Sequence, residues 1–271
     1  TDTASVKSDL IIFPETATPF YLLNDYYTDK YDLIKNTIDS IKTPLLIGTP
    51  DLVYYNDSIL AKPDSKINKT SGQKYDSFNS AVLIKPDEER VSHQKYAKNK
   101  LVIASERMPY QERIPFFRDL IRWSVGISSF QVGWDTTIFQ LGDKAEFNTA
   151  ICYETIYPEY FAAFAAKGSQ FSVIITNDGW WGKLFGTHQH KQFAVLRAIE
   201  NRRWIARCGN TGISCFIDSY GNIYDETEIN QKAIISGDIG LSRSITFYTR
   251  NPYLFPDILL IMTILIFIAA I

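Results

Sequence analysis

The chain has 271 residues and carries 28 Lys and Arg against 30 Asp and Glu, a formal net charge of -2. That length allows one large domain or two small ones, and the well-mixed charges leave no basic stripe for a phosphate backbone, so no nucleic-acid partner is expected. Cys152, Cys208 and Cys215 form an odd set without Cys-x-x-Cys spacing; neither a disulfide framework nor a zinc site is indicated, and at least one thiol should be free.

The chain opens "TDTASVKSDLIIF" with no start signal or signal peptide, so an N-terminal portion is expected to be missing. "LIIF" (10–13) is the first of many short, β-branched apolar runs, each too short for a helix and read as a buried strand. Glu15 follows Pro14 at its end. A carboxylate there is either a cap for the next turn or a buried base, and the residues alone leave both open. Tyr27, Tyr31, Ile34, Ile38 and Ile41 recur at helical spacing and predict an amphipathic helix capped by Thr28 or Asp29. "LLIG" (45–48), "SAVLI" (80–84) and "LVIA" (101–104) read as strands, with Lys98 leading into the last. An isolated lysine at such a place is either solvated or functional.

Residues 107–134 are rich in aromatics and arginines; they read as a surface excursion with one helix, or as a segment suited to a lipid interface. "TAIC" (149–152) is the next strand. After it, "TIYPEYFAAFAAKG" puts Thr155 near a cap, Pro158 in the first helical turn and Gly168 at the stop. Cys152 should therefore sit at a strand's carboxyl end facing a helix N-terminus, a place that favours the thiolate. Cys208 and Cys215 read as small buried hydrophobes.

"FSVIIT" (171–176) is a strand, and Trp180 and Trp181 lie in the loop beyond it, as a lipid-facing flap or an aromatic clamp. The helix from Thr187 is expected to pack through Phe193, Leu196 and Ile199 with its polar residues outward. Its His188 and His190 point to different faces and His93 lies in a polar loop, so histidine is a poor candidate for a catalytic base. "WIARC" (204–208), "ISCFI" (213–217) and "AIISGDI" (233–239) read as strands, with a hairpin turn at Asp218–Gly221. Arg250, Tyr253 and Phe255 are suited to a membrane interface, and "ILLIMTILIFIAAI" (258–271) has no charge. As a helix it covers about 21 Å, short of the roughly 30 Å of a bilayer core; it reads as the start of a transmembrane helix or as a buried one. With no repeat or linker, residues 1–250 form one α/β domain, and 251–271 an anchor.

A thiol, a carboxylate and an amine at three strand ends make a coherent machine. The carboxylate of Glu15 would take the proton of Cys152, the sulfur would attack a carbonyl, and the ammonium of Lys98 would stabilise the oxyanion. No metal or organic cofactor is needed.

Glu15 in "FPET", Lys98 in "YAKNKL" and Cys152 in "CYE" resemble the Glu-Lys-Cys triad of the nitrilase superfamily, in the same chain order. More finely, "KNKLVIASERMPY" with Glu106, "ICYE" with Cys152, Tyr153 and Glu154, and the segment 177–214 are similar to the apolipoprotein N-acyltransferase family of the bacterial inner membrane. The resemblance covers residues 9 to about 240. Three departures stand out: the family's preceding transmembrane helices and the first strand of the nitrilase fold are not in this sequence, and Ala104-Ser105-Glu106 replaces the frequent Phe-Gly-Glu. The resemblance implies a nitrilase-like four-layer α-β-β-α sandwich followed by the start of a C-terminal transmembrane helix, with the domain on the periplasmic side. It implies acyl transfer from a phospholipid through a Cys152 thioester to the N-terminal amine of a diacylglyceryl-modified apolipoprotein. Glu106, Tyr153 and Glu154 would support the triad, and Trp180 and Trp181 would face lipid. The alternatives are an amidase or nitrilase using water as acceptor, and a catalytically silent membrane-anchored binding module.

Overall fold

The apolar runs assemble into two mixed sheets in a computed structural model of the chain, which describes residues 7–57, 59–114, 129–182 and 185–270. The first sheet has the order β1 (Ile11–Ile12), β2 (Leu45–Tyr55), β4 (Lys74–Ile84), β3 (Lys66–Ile67), with β5 (Gln94–Ala97) also on β4. Its backbone is the antiparallel pair β2–β4, running without a bulge from Leu45 opposite Ile84 to Tyr55 opposite Lys74. The second sheet runs from β6 (Ile138–Leu141) through β7 (Ala145–Ile151), β8 (Phe171–Thr176), β9 (Ile205–Gly209) and β10 (Cys215–Ile217) to β11 (Ile223–Tyr224). β7, β8 and β9 are parallel neighbours. β8 is buried at every position, which is why its sequence is a continuous apolar run rather than an alternating one.

The sheets pack face to face. Leu46, Ala81, Leu83 and Tyr96 of the first meet Phe139, Phe147, Ile151, Val173 and Ile175 of the second in one core cluster. The outer face of the first sheet is covered by α1 (Thr28–Ile41), whose Tyr31 and Ile38 rest on Leu45, Ile47, Val82 and Ile84. Across the molecule, Phe161 of α2 (Pro158–Ala166) and Ala194 and Ala198 of α3 (Gly186–Asn201) cover Ala150, Ile174 and Ile205. The strands β1, β5 and β7 thus lie in sheets flanked by these helices.

Several expectations are corrected. Residues 101–104 form no strand beyond a single bridge of Ile103 to Arg107, because the chain turns there through a left-handed Ala104 (φ 62°) and the Val102 N–H is taken by a Glu106 side-chain oxygen at 2.8 Å. The strand lies before Lys98, as β5. Residues 233–239 are not in a described strand either; this segment crosses side-chain faces, with Gly237 against the Phe216 ring and Gly240 against Trp204. α1 has Tyr27 as its cap residue, without a side-chain bond. α2 begins at Pro158, behind a separate 3-10 turn at Cys152–Ile156. α3 buries its polar face: His190, Lys191, Arg197 and Asn201 point inward, while Phe193, Leu196 and Ile199 are each more than a third exposed. Inside, Lys191 pairs with Glu226 at 2.6 Å and Asn201 accepts from Thr249 at 3.0 Å; polar side chains on that face are tolerated because they have partners. The Asp218–Gly221 hairpin turn is present as expected, with Ile217 opposite Ile223.

After α4 (Phe247–Arg250), α5 (Leu254–Ala269) carries the terminal apolar run, and its described residues have no buried position. A buried C-terminal helix is therefore not what forms. Among the described residues no helix is long and apolar enough to cross a membrane.

Candidate active site

Three strand ends converge where expected. Gly48 on β2 lets the turn after β1 press against the sheet: a Cβ there would fall 2.5 Å from the Pro14 carbonyl oxygen and 2.6 Å from the Glu15 Cα. Glu15 is thereby buried, at 5% exposure; it is not the cap of a solvated turn. Lys98, directly after β5, is 1% exposed and anchored by its N–H to the Asn79 carbonyl at 2.8 Å. Its ammonium lies 3.1 Å from Glu15 Oε1 and 2.9 Å from Glu106. The second Glu15 oxygen accepts from the Asn177 N–H at 2.9 Å. Burial works against the charge on Lys98, but Glu106 and Glu15 outweigh it and hold the ammonium well above its ordinary range. Its described contacts are all to the oxygens of these two carboxylates.

Cys152 follows β7 and opens the 3-10 turn with a left-handed backbone, φ 51°. The thiol is not the thiolate that a helix N-terminus would favour. Burial, together with the negative charge of Glu15, pushes it up to about 12, against the opposing pull of Lys98 and a hydrogen bond with Thr176. Burial and Glu15 thus oppose the thiolate beside this ion cluster. Of the two carboxylates, Glu15 acts on the thiol more strongly than Glu106.

Glu154 touches neither Lys98 nor the sulfur through any described hydrogen bond; it ties their two chain segments together. Its Oε1 accepts from the Asn99 and Lys100 N–H groups at 2.7 and 3.1 Å and from Tyr96 Oη at 2.6 Å, while Oε2 accepts from the Ile151 N–H at 2.8 Å. Burial pushes its carboxyl up to about 7, against the pull of these donors. Protonation places a hydrogen among N–H groups that need an acceptor, so any turnover that depends on Cys152 should rise with pH through about 7. Glu154→Gln should be about tenfold slower and lack that limb in a pH–rate profile. Tyr153 stands edge-on to the Tyr157 ring, 5.6 Å between centroids. The side chains of Trp180 and Trp181 lie outside what is described, as do residues 115–128 of the 107–134 stretch.

Sequence reading missed Asn79 and His190. The Asn79 amide donates to Glu15 Oε1 at 2.7 Å and to Glu106 Oε1 at 2.8 Å, using both its hydrogens to hold the carboxylates on either side of Lys98. A polar residue at a buried position of β4 is the signal that could have found it. His190 reaches the Cys152 carbonyl oxygen, 2.9 Å away, from α3; no local pattern links residues so far apart in sequence. Among the described residues no group of His, Cys, Asp and Glu could hold a metal.

The chain is 37% identical, over 98% of its length and 50% of the relative's, to the apolipoprotein N-acyltransferase of Chlorobaculum tepidum. It is 32% identical to that of Geobacter metallireducens, over 91% of this chain and 43% of the relative. It thus spans about half the length of the curated relatives it matches. Among solved structures, Nit3 of Saccharomyces cerevisiae, a member of branch 10 of the nitrilase superfamily, superposes with a TM-score of 0.55 at 15% identity, covering 83% of this chain and 74% of that one. An amidase from Nesterenkonia sp. does so with 0.53 at 15%, covering 86% and 75%. At that identity the likeness is one of fold, the α/β fold of the nitrilase superfamily with its two mixed sheets. The carbon-nitrogen hydrolase profile matches residues 2–247, and the chain belongs to the carbon-nitrogen hydrolase family.

Proposed function

We propose that the chain is the catalytic part of an apolipoprotein N-acyltransferase, residues 1–250 forming the catalytic domain, its layers read as the family's four-layer α-β-β-α sandwich. The observation that carries this is the 37% identity, over 98% of this chain, to a protein of that name. The buried Glu15–Lys98–Glu106 cluster beside Cys152 supports it, because it groups a thiol, carboxylates and an ammonium, which acyl transfer needs.

Glu15 takes the thiol proton as the Cys152 sulfur bonds to the ester carbonyl carbon of a phospholipid. The oxygen that becomes negative is stabilised by the positive charge of the Lys98 ammonium. The ester C–O bond then breaks, and the departing alkoxide takes the proton from Glu15, leaving as lysophospholipid and a Cys152 thioester. The N-terminal amine of a diacylglyceryl-modified lipoprotein attacks next, Glu15 accepts its proton, and the C–S bond breaks to give an amide and restore the thiol. Asn79 and Glu106 keep Lys98 charged and fixed, and Glu154 holds the turns bearing Lys98 and Cys152.

The apolar surface of α5, with Tyr253 and Phe255 at its start, belongs at a lipid phase. We read it as the start of a membrane anchor, with the domain on the periplasmic side of a bacterial inner membrane and Trp180 and Trp181 toward lipid. The test is the fate of the acyl group. With acyl-labelled phospholipid and a peptide bearing an N-terminal diacylglyceryl-cysteine, label should enter the peptide as an amide. Label released only as free fatty acid would make the chain a hydrolase.

A further inference from the structure

His190 is 6% exposed, and its ring is held at both nitrogens. Nδ1 lies 2.8 Å from Asp178 Oδ1 and Nε2 lies 2.9 Å from the Cys152 carbonyl oxygen. A carbonyl oxygen has no hydrogen to give, so Nε2–H is the donor there. Asp178 pairs with Arg207 at 2.6 Å; burial opposes its charge, but the bonds from His190 and Arg207 hold its carboxyl below the usual range. The ring links a buried ion pair to the backbone of the residue that bears the sulfur.

That backbone needs holding. A non-glycine residue in the left-handed region, as Cys152 is, is strained and persists only where its surroundings fix it. Its carbonyl has two donors: His190 Nε2 and, at 2.8 Å, the Thr155 hydroxyl. The Asp178 end is equally fixed. Thr176 Oγ1 donates to Asp178 Oδ1 at 2.8 Å, Arg207 Nε donates to the Ile213 carbonyl at 3.1 Å, and a Cβ on Gly212 would fall 2.1 Å from Asp178 Oδ2. Only glycine fits there. The groups facing the ring from every packed element are thus Asp178, Arg207 (3.4 Å from Nδ1), and the turn of Cys152 and Thr155.

We propose that His190 is a positioning residue: backed by Asp178 and Arg207, it clamps the Cys152 carbonyl and so keeps the sulfur aimed at Glu15 and Lys98. The inference rests on Cys152 being the nucleophile and names what holds it in place. It does not make His190 the base, because the contact is to the carbonyl and not to the sulfur.

The test uses the whole chain and p-nitrophenyl octanoate, whose phenolate reports one acylation of Cys152 as a burst. The wild type should show the burst and Cys152→Ala none. His190→Leu, folded by circular dichroism, should slow the burst about 10- to 100-fold, the range expected when a buried acceptor loses its donor. His190→Gln, whose amide N–H can reach the same carbonyl, should return the rate to within about threefold of wild type. A residue that only fills space would not be rescued by glutamine over leucine. A wild-type burst rate in His190→Leu overturns the proposal, as does a glutamine variant as slow as the leucine one. If His190→Leu does not fold, Asp178→Asn decides: a slowed burst supports the clamp and an unchanged one overturns it. A wild type without a burst overturns the nucleophile itself, and the clamp with it.

Discussion

Lys98→Met should lower the rate of acyl-enzyme formation by about 10²- to 10³-fold, the usual cost of removing one oxyanion donor, and destabilise the fold by about 3–5 kcal/mol. Methionine matches the lysine stem in size, so the change removes charge and hydrogen bonds with little loss of volume. What remains is a pair of buried carboxylates, Glu15 and Glu106, sharing the two hydrogens of the Asn79 amide and no cation. The two effects are separable. In Lys98→Met with Glu106→Gln, one of the uncompensated charges is gone, so much of the stability should return, read by thermal unfolding. The acylation rate should not, because no donor faces the oxyanion. Recovery of the rate together with the stability would show that Lys98 acts only as a counter-ion.

Glu15→Gln should slow acylation by about 10²- to 10⁴-fold, the range for loss of a general base, with a smaller loss of stability than Lys98→Met. The amide keeps one oxygen for Lys98 and Asn79 and has the same shape, but cannot take a proton from a thiol held near 12. Its NH₂ end meets the Asn177 N–H, which formerly donated to the carboxylate, and that mismatch accounts for the stability change. Glu106→Gln is the control. Glu106 shares Lys98 and Asn79 with Glu15 yet acts less on the thiol, so the acylation rate should fall less. Equal losses in the two variants would argue that total charge, not a base at Glu15, drives the reaction.

What the sequence disclosed and what it withheld follow from how each feature is encoded. β8 was legible at both ends because a strand buried on two faces must be apolar at every position, and "FSVIIT" is. β5 and β6 were not, since four residues that alternate or mix polar groups, "QKYA" and "IFQL", leave too little pattern to detect. That gap put Lys98 ahead of a strand at 101–104, when it follows β5. Glu15 and Lys98 stood out as charged residues at strand ends, with their roles left open, Glu106 came from the resemblance, and the three meet in one cluster. α3 was read inside out because a polar helix face normally seeks water, whereas here it finds Asp178, Glu226 and Thr249. The same inversion hid His190. The thiolate expectation failed for a further reason: the dipole of α2 begins at Pro158, past the 3-10 turn, and Glu15 stands beside the sulfur.

The account turns on sulfur chemistry at one residue, and intact mass spectrometry reads it directly. After incubation with dipalmitoyl-phosphatidylglycerol vesicles and no acceptor, the wild-type chain should gain the mass of one palmitoyl group, mapped to Cys152, and Cys152→Ala should gain nothing. An adduct of equal yield in Cys152→Ala, or no adduct in a folded wild-type chain that still turns over phospholipid, would contradict a Cys152 thioester.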